Sequence, residues 1–331
     1  MNDVFVCKTT WELFVTLVMA FKKHKETNEK TVIILEWAEE NKDYIPKLRK
    51  LKCIQEVEVI KLNQSKIAKG LLFHYRCHFS LKRKLSKYIS QEYDINVFVD
   101  QSVISQTFIK SGKTLKLFEH GNGNYLVGAY PNYKFIKRVL GVTEGYGRDE
   151  SITKIFLQYP EKAPEDIYFK VVSLNIKNDF ESIEELQKKE IFGVFDVEGH
   201  NLKEGVLLLT QPLSEDGIIS ESEKLSLYQE FIDKYSDIII KPHPRDTTDY
   251  NKYLSGDFSI ISKSFPIEIL NFTDARFDTL CTVCSGSVYN FSYPVNVDIY
   301  GTMHSKNMIR VLGEIEKRFV SKNKYSELEY V

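Results

Sequence analysis

The chain has no apolar run long enough to cross a bilayer. Its longest near the start, LFVTLVMAF (residues 13–21), is under half of the roughly 20 residues a spanning helix needs, and it lacks a signal-peptide cleavage pattern. Cysteine is scarce. Five residues (Cys7, Cys53, Cys77, Cys281, Cys284), odd in number and scattered, exclude a disulfide framework and suit buried thiols in a reducing compartment, so a cytoplasmic location is expected. The CTVC pair, Cys281 and Cys284, has zinc-like spacing but no second CxxC or HxxxH, and it lies in an apolar run. No metal site is expected. Excess basic charge is absent too. A net charge of -1 excludes a nucleic-acid binder driven by overall basicity. Missing as well are a GxxxxGK[ST] phosphate loop, a G-x-S-x-G elbow, a D-x-D acid pair between strands, internal repeats and heptads.

What is present is the composition of a folded protein: 43% hydrophobic, 27% charged and 13% aromatic over 331 residues. That length suits two domains of ordinary size. In DVFVCKTTWELFVTLVMAFKKHKE a short strand leads to Thr9, and Glu12 three residues on completes a capping box that opens a helix. The strands KTVIILEW, IQEVEVIKL, DINVFVD and TLKLFEHGNG follow, separated by helical stretches. Between residues 151 and 199 the pattern loosens into what reads as a connection. A second series then begins: strand EGVLLLTQPLSEDG, helix SEKLSLYQEFIDKYS, strand DIIIKPHP, strand FSIISKS, helix PIEILNFT and strand FDTLCTVCSGS. Short aliphatic strands alternating with helices predict parallel sheets covered on both faces. The predicted class is therefore α/β, with two Rossmann-like doubly wound domains facing a central cleft. The first spans residues 1–153 on the acceptor side; the second spans 154–331, with 154–199 connecting and 306–331 a closing helix.

Parallel sheets bind ligands beyond the carboxyl ends of their strands, and four such ends carry polar chemistry. In KPHPRD, Pro242 and Pro244 restrict the backbone around His243. Lys241, His243 and Arg245, two apart, would lean to one side of an extended segment, toward an anion. The prolines would also serve simply to stop the strand. Glu119 follows a strand and precedes the glycines of GNGN; that stretch is no dinucleotide fingerprint, since Leu126 holds the third glycine's place. Thr210 and Gln211 end another strand. Ser285, Gly286 and Ser287 stand between a strand and a helix start, where free amides favour a phosphate and where a serine is equally an N-cap. His74 and His78, four apart, lack the carboxylate pattern of a metalloprotease. The basic run LKRKLSK (81–87) reads as a solvated helix face or as a patch for an anionic membrane or glycolipid.

KPHPRD, LLLTQPLSEDG, SFPIEIL and CSGS, in that order after an acid-plus-glycine motif, resemble the bacterial sialyltransferases of glycosyltransferase family 52, the lipooligosaccharide and capsule type. The likeness runs from about Phe118 to Asn290. It implies a GT-B fold and an inverting transfer, without metal or other cofactor, from CMP-sialic acid to a terminal sugar such as galactose of a surface glycan. Glu119 would be the general base, and His243 would donate a hydrogen bond or proton to the departing phosphate. Ser285 and Ser287, with the amides around Gly286, would hold the phosphate oxygens. Glu268 would bind the ribose hydroxyls, the backbone of Lys241 with Pro242 the cytosine, and Thr210 and Gln211 the donor's carboxylate or phosphate. Related sequences often carry two adjacent acids before the glycine; here the second is His120. Another CMP-nonulosonate or UDP-hexose donor, or a non-catalytic nucleotide-binding role in capsule assembly, stays open. So do peripheral attachment to the inner membrane face and a homodimer.

Overall fold

A computed structural model describes residues 2–36, 42–62, 79–126, 145–197 and 204–327. Cys77, His74 and His78 lie outside the described residues. The chain divides into two compact units, Met1–Val194 and Phe195–Val331.

The first unit is built on β1 (Asp3–Cys7), β2 (Thr31–Glu36), β3 (Ile54–Ile60), β4 (Asp94–Val97), β5 (Leu115–Phe118), β6 (Ile152–Leu157) and β7 (Val171–Ser173). They form one parallel sheet in the order β3-β2-β1-β4-β5-β6-β7, and helices α2 (Ile45–Leu48), α3 (Ser86–Ser90) and α4 (Val103–Lys110) lie between its strands in sequence. All six residues of β2 are buried, as a strand covered on both faces requires. Helix α1 (Thr10–Thr27) opens on the predicted capping box: the Thr9 side chain accepts from the Glu12 amide, and Glu12 reaches back to the Thr9 amide. Thr9→Ala removes one half of that box and is expected to lower stability by about 1 kcal/mol in a urea titration; a loss under ~0.3 kcal/mol would show that the tertiary packing of α1 alone fixes its start.

The domain boundary differs from the sequence expectation at 153/154. Strands β6 and β7 extend the first sheet, and helices α5 (Ile176–Ser182) and α6 (Glu185–Val194) pack on α1, so the supposed connection belongs to the first unit. Lys22 fixes α1 to α5 through Asp179 at 2.5 Å. The edge position explains the weak signal: β7 has three residues, none fully buried, so it lacks an aliphatic run.

The second unit carries β8 (Val206–Leu209), β9 (Ile238–Lys241), β10 (Phe258–Ile260), β11 (Thr279–Thr282), β12 (Asn296–Ile299) and β13 (Arg318–Val320). Their order is β10-β9-β8-β11-β12-β13, parallel except for β13. Helix α7 (Glu221–Lys234) starts on a second capping box, Ser220 with Glu223, and α8 is the single turn Tyr250–Tyr253. Two helix expectations are corrected. Helix α9 (Lys306–Leu312) stops well short of residue 331 because Gly313, at φ 86°, turns the chain back into the antiparallel β13. PIEILNFT forms a 3₁₀ helix, Ile267–Phe272. Among the described residues no helix is long and apolar enough to cross a membrane.

Both sheets reverse direction beside their first strand, between β1 and β4 and between β8 and β11. These switch points are where open α/β sheets bind ligands, beyond the carboxyl ends of the strands.

Candidate functional site

In the second unit the predicted residues converge on the carboxyl ends of β8, β9 and β11. The Thr210 amide donates to the Lys241 carbonyl at 3.2 Å, and the His243 amide donates to the Thr210 hydroxyl at 3.1 Å. Across the switch point the Cys284 thiol donates to Gln211 Oε1 at 2.6 Å. Cys284 is therefore tied into this loop crown, while Cys281 is buried within β11.

His243 is half-buried, and its tautomer is set by its neighbours. The Arg245 amide donates to His243 Nδ1 at 3.1 Å. A backbone N–H can only donate, so Nδ1 is an acceptor and, in the neutral ring, the proton sits on Nε2. Burial, with the positive charges of Arg245 and Lys241, holds this imidazole below its ordinary pKa. The residue is thus a neutral ring presenting Nε2–H.

The expected basic row does not form. Asp246 N donates to His243 O at 2.9 Å, closing a turn, so the extended alternation ends at the prolines. Arg245 grips Asp216 through both terminal nitrogens, one at 3.0 Å. Lys241 is buried, with its ammonium 4.6 Å from the centre of the Phe265 ring, and burial pushes its pKa down to about 7. Pro242 is half-buried beside it. Glu268, also half-buried, accepts from Asn290 Nδ2 at 2.7 Å, which links the two short 3₁₀ helices of this crown; burial raises its pKa, and the nearby Lys241 charge opposes the rise. Ser285 serves as an N-cap: its hydroxyl accepts from Ser287 N at 3.3 Å, and its own amide donates to Thr282 Oγ1 at 3.0 Å. Gly286 is exposed and Ser287 half-buried.

A charged network beneath this crown escaped the sequence reading. Asp246 is buried and accepts from Thr210 Oγ1, from Tyr250 OH and, at 2.8 Å, from Lys224 Nζ. Lys224 also reaches Glu215 at 2.9 Å and Thr248 Oγ1 at 2.8 Å. Thr210 therefore hands the position of His243 back to Asp246 and Lys224. One signal could have found it: Lys224 lies in phase with the buried stripe Leu227, Tyr228, Phe231 and Ile232 of α7.

In the first unit, Glu119 directly follows β5, whose Phe118 packs on Phe5, Phe98 and Phe156. Its carboxylate is buried and accepts three hydrogen bonds. Oε2 accepts from Tyr125 OH and from Gln158 N, both at 2.6 Å, and Oε1 accepts from Gln158 Nε2 at 2.9 Å. His120, the next residue, is exposed, with Nδ1 2.6 Å from Glu12 Oε1. Gly121 follows at φ 151°, a conformation that favours glycine, and the His120 amide donates to Asn124 Oδ1 at 2.9 Å.

Two units built on mostly parallel sheets, each with polar residues beyond the carboxyl ends of its strands, define a two-domain α/β architecture. Solved structures of similar fold cover nearly the whole chain. A UDP-GlcNAc 2-epimerase from Neisseria meningitidis bound to UDP-GlcNAc covers 99% of it, with 90% of its own chain matched, at 11% identity and a TM-score of 0.51. The enzyme of the same name from Methanocaldococcus jannaschii matches over 99% and 92%, at 13% identity and a TM-score of 0.52. UGT89C1 of Arabidopsis thaliana, complexed with UDP, matches over 98% and 89%, at 10% identity and a TM-score of 0.50. The fold is GT-B. A protein of Haemophilus influenzae described only as uncharacterized is 34% identical over 245 residues, 72% of this chain and 77% of that one. The profile of glycosyltransferase family 52 matches residues 27–305, and the chain belongs to that family.

Proposed function

We propose that this glycosyltransferase moves a sialic acid residue from CMP-sialic acid to a terminal sugar, galactose, of a capsular polysaccharide or lipooligosaccharide, in the cytoplasm, with inversion and without a metal. The observation that carries the reading is the fixed Nε2–H of His243 at the end of β9. As the bond from C2 to the phosphate oxygen breaks, negative charge builds on CMP, and a preorganised donor stabilises it most in the transition state. Lys241 and Pro242 supply the base site, Glu268 the ribose contact, Ser285, Gly286 and Ser287 the phosphate amides and hydroxyls, and Thr210 and Gln211 the remaining donor contacts. The acceptor hydroxyl loses its proton to a base at the end of β5, where Glu119 and His120 stand. Peripheral attachment at the inner membrane face would bring the chain to a lipid-linked acceptor.

The test is a donor panel. Purified protein is incubated with CMP-sialic acid, other CMP-nonulosonates and UDP-hexoses plus a lactoside acceptor, with EDTA present, and the released nucleotide and product linkage are read by mass spectrometry and NMR. CMP and an inverted sialoside are expected. Release of UDP instead would replace the donor, and turnover abolished by EDTA would end the metal-free reading.

A further inference from the structure

We propose that His120 is the general base of the transfer, held in place by Glu12 as its positioning residue, and that Glu119 shapes the turn that presents them. This rests on the glycosyl-transfer reading above.

Glu12 lies in the first turn of α1, beside the switch point between β1 and β4, and its side chain is almost wholly enclosed, 2% exposed. One carboxylate oxygen is fixed by two backbone amides: Oε2 accepts from Lys8 N and, at 3.1 Å, from Thr9 N. The other oxygen, Oε1, is buried, accepts no hydrogen bond among the described residues, and lies 2.6 Å from His120 Nδ1 as a charge-paired contact. A carboxylate that close favours, by its charge, a proton on the Nδ1 side of the ring, and the neutral ring in that form has its lone pair at Nε2. Among the described residues nothing bonds to Nε2, and the side chain is 45% exposed. The pair brings a fixed carboxylate close enough to the ring to stabilise the imidazolium once it forms.

Glu119 is poorly suited to the same task. Three donors occupy its oxygens within a buried pocket, and a base must have a lone pair within hydrogen-bond reach of the acceptor hydroxyl. His120 lies just beyond β5 and His243 just beyond β9, each at the carboxyl end of its own sheet, and their contacts favour opposite forms. His243 accepts at Nδ1 and offers Nε2–H, while His120 sets Nδ1 against the Glu12 carboxylate and, when neutral in that form, offers Nε2 as an acceptor. Those are the forms needed by the groups that steady a leaving phosphate and take up a proton.

The step balances without a further reactant. The acceptor hydroxyl proton passes to His120 Nε2 as the oxygen's electron pair forms the new bond to C2 of the sialyl residue. The bond from C2 to the phosphate oxygen breaks with its pair staying on CMP, and the imidazolium later returns the proton to water.

The groups facing His120 set the pH dependence. Glu12 on α1 raises its pKa most; burial opposes this, as does Lys8 in the turn before α1, whose ammonium is bound to Glu36 at the end of β2, 2.9 Å away. A raised pKa in a group that must be unprotonated makes transfer fall as pH drops through that value. Glu12→Gln, which keeps the capping box because glutamine also serves at that position, should shift this acid limb to lower pH.

The experiment measures kcat against pH for the wild type, His120→Ala, Glu12→Gln and Glu119→Gln, with whichever nucleotide sugar the wild type turns over. NMR titration of the His120 ring, assigned by its loss in His120→Ala, reads the pKa directly. A fall in kcat of about 10²-fold or more for His120→Ala, with unchanged melting and a moved limb in Glu12→Gln, supports the dyad. Transfer by His120→Ala within threefold of wild type, or folded Glu119→Gln losing the acid limb while Glu12→Gln keeps it, overturns the dyad and leaves the transferase reading standing. Transfer by the wild type from UDP-hexose overturns only the sialyl donor. No turnover with any nucleotide sugar overturns both.

Discussion

On the proposed transfer from CMP-sialic acid, replacement of His243 by alanine is expected to lower the rate of CMP release by about 10²–10⁴-fold. The size follows from when the hydrogen bond matters. In the bound donor the phosphate charge is shared with the sugar oxygen; in the transition state most of it rests on CMP. A donor aimed there strengthens as the bond breaks, so its loss appears chiefly in kcat, with CMP affinity changed by less than ~10-fold. The tautomer adds a sign. Because Arg245 N occupies Nδ1, the neutral ring keeps its Nε2 proton, and burial with Arg245 and Lys241 favours that neutral ring. Hydrogen-bond donation therefore survives as pH rises through the titration of the free enzyme's His243, and kcat should show no basic limb from this residue. Steady-state CMP release by His243→Ala within threefold of wild type, or CMP binding lost in proportion to turnover, would show that His243 only lines the nucleotide site. In a non-catalytic assembly protein there would be no turnover to lose.

The fold was largely legible because its strands are short aliphatic runs buried on both faces. VIIL of β2, LLL of β8 and III of β9 are such runs, and both capping boxes that open long helices are visible as Thr9–Glu12 and Ser220–Glu223. Edges were not legible. Strands β7 and β13 have three residues each, with no buried run, and they moved the domain boundary and shortened the last helix. The site divides in the same way. That Thr210, Gln211, Lys241, His243 and Ser285 sit at strand ends followed from one-dimensional pattern. What each side chain touches did not, since it depends on contacts distant in sequence. Arg245 turns to Asp216, Lys241 turns onto Phe265, and Glu12, which reads as a helix cap, is also the partner of a histidine 108 positions further on, 120 less 12.

Lys224→Met is expected to cost the second unit about 3–5 kcal/mol, the largest stability effect of any single exchange considered. Lys224 and Asp246 are both fully enclosed, 2.8 Å apart, and the same ammonium reaches Glu215 at 2.9 Å. Removing the cation leaves Asp246 charged in a closed pocket, with hydroxyls from Thr210 and Tyr250 as its remaining side-chain donors. An isolated buried charge is far costlier than the pair was worth, so breaking the pair destabilises strongly even where forming it gained little. The double exchange Lys224→Met with Asp246→Asn removes both charges and should recover at least ~1 kcal/mol of the single loss, a coupling readable by a double-mutant cycle in urea. Function follows the same route: Asp246 holds Thr210, whose hydroxyl accepts the His243 amide, so conditions that keep Lys224→Met folded should still show impaired CMP release. A stability loss below ~1 kcal/mol, or a double variant no more stable than Lys224→Met, would mean that water or a shifted Glu215 neutralises the pocket and that the network does not position the histidine.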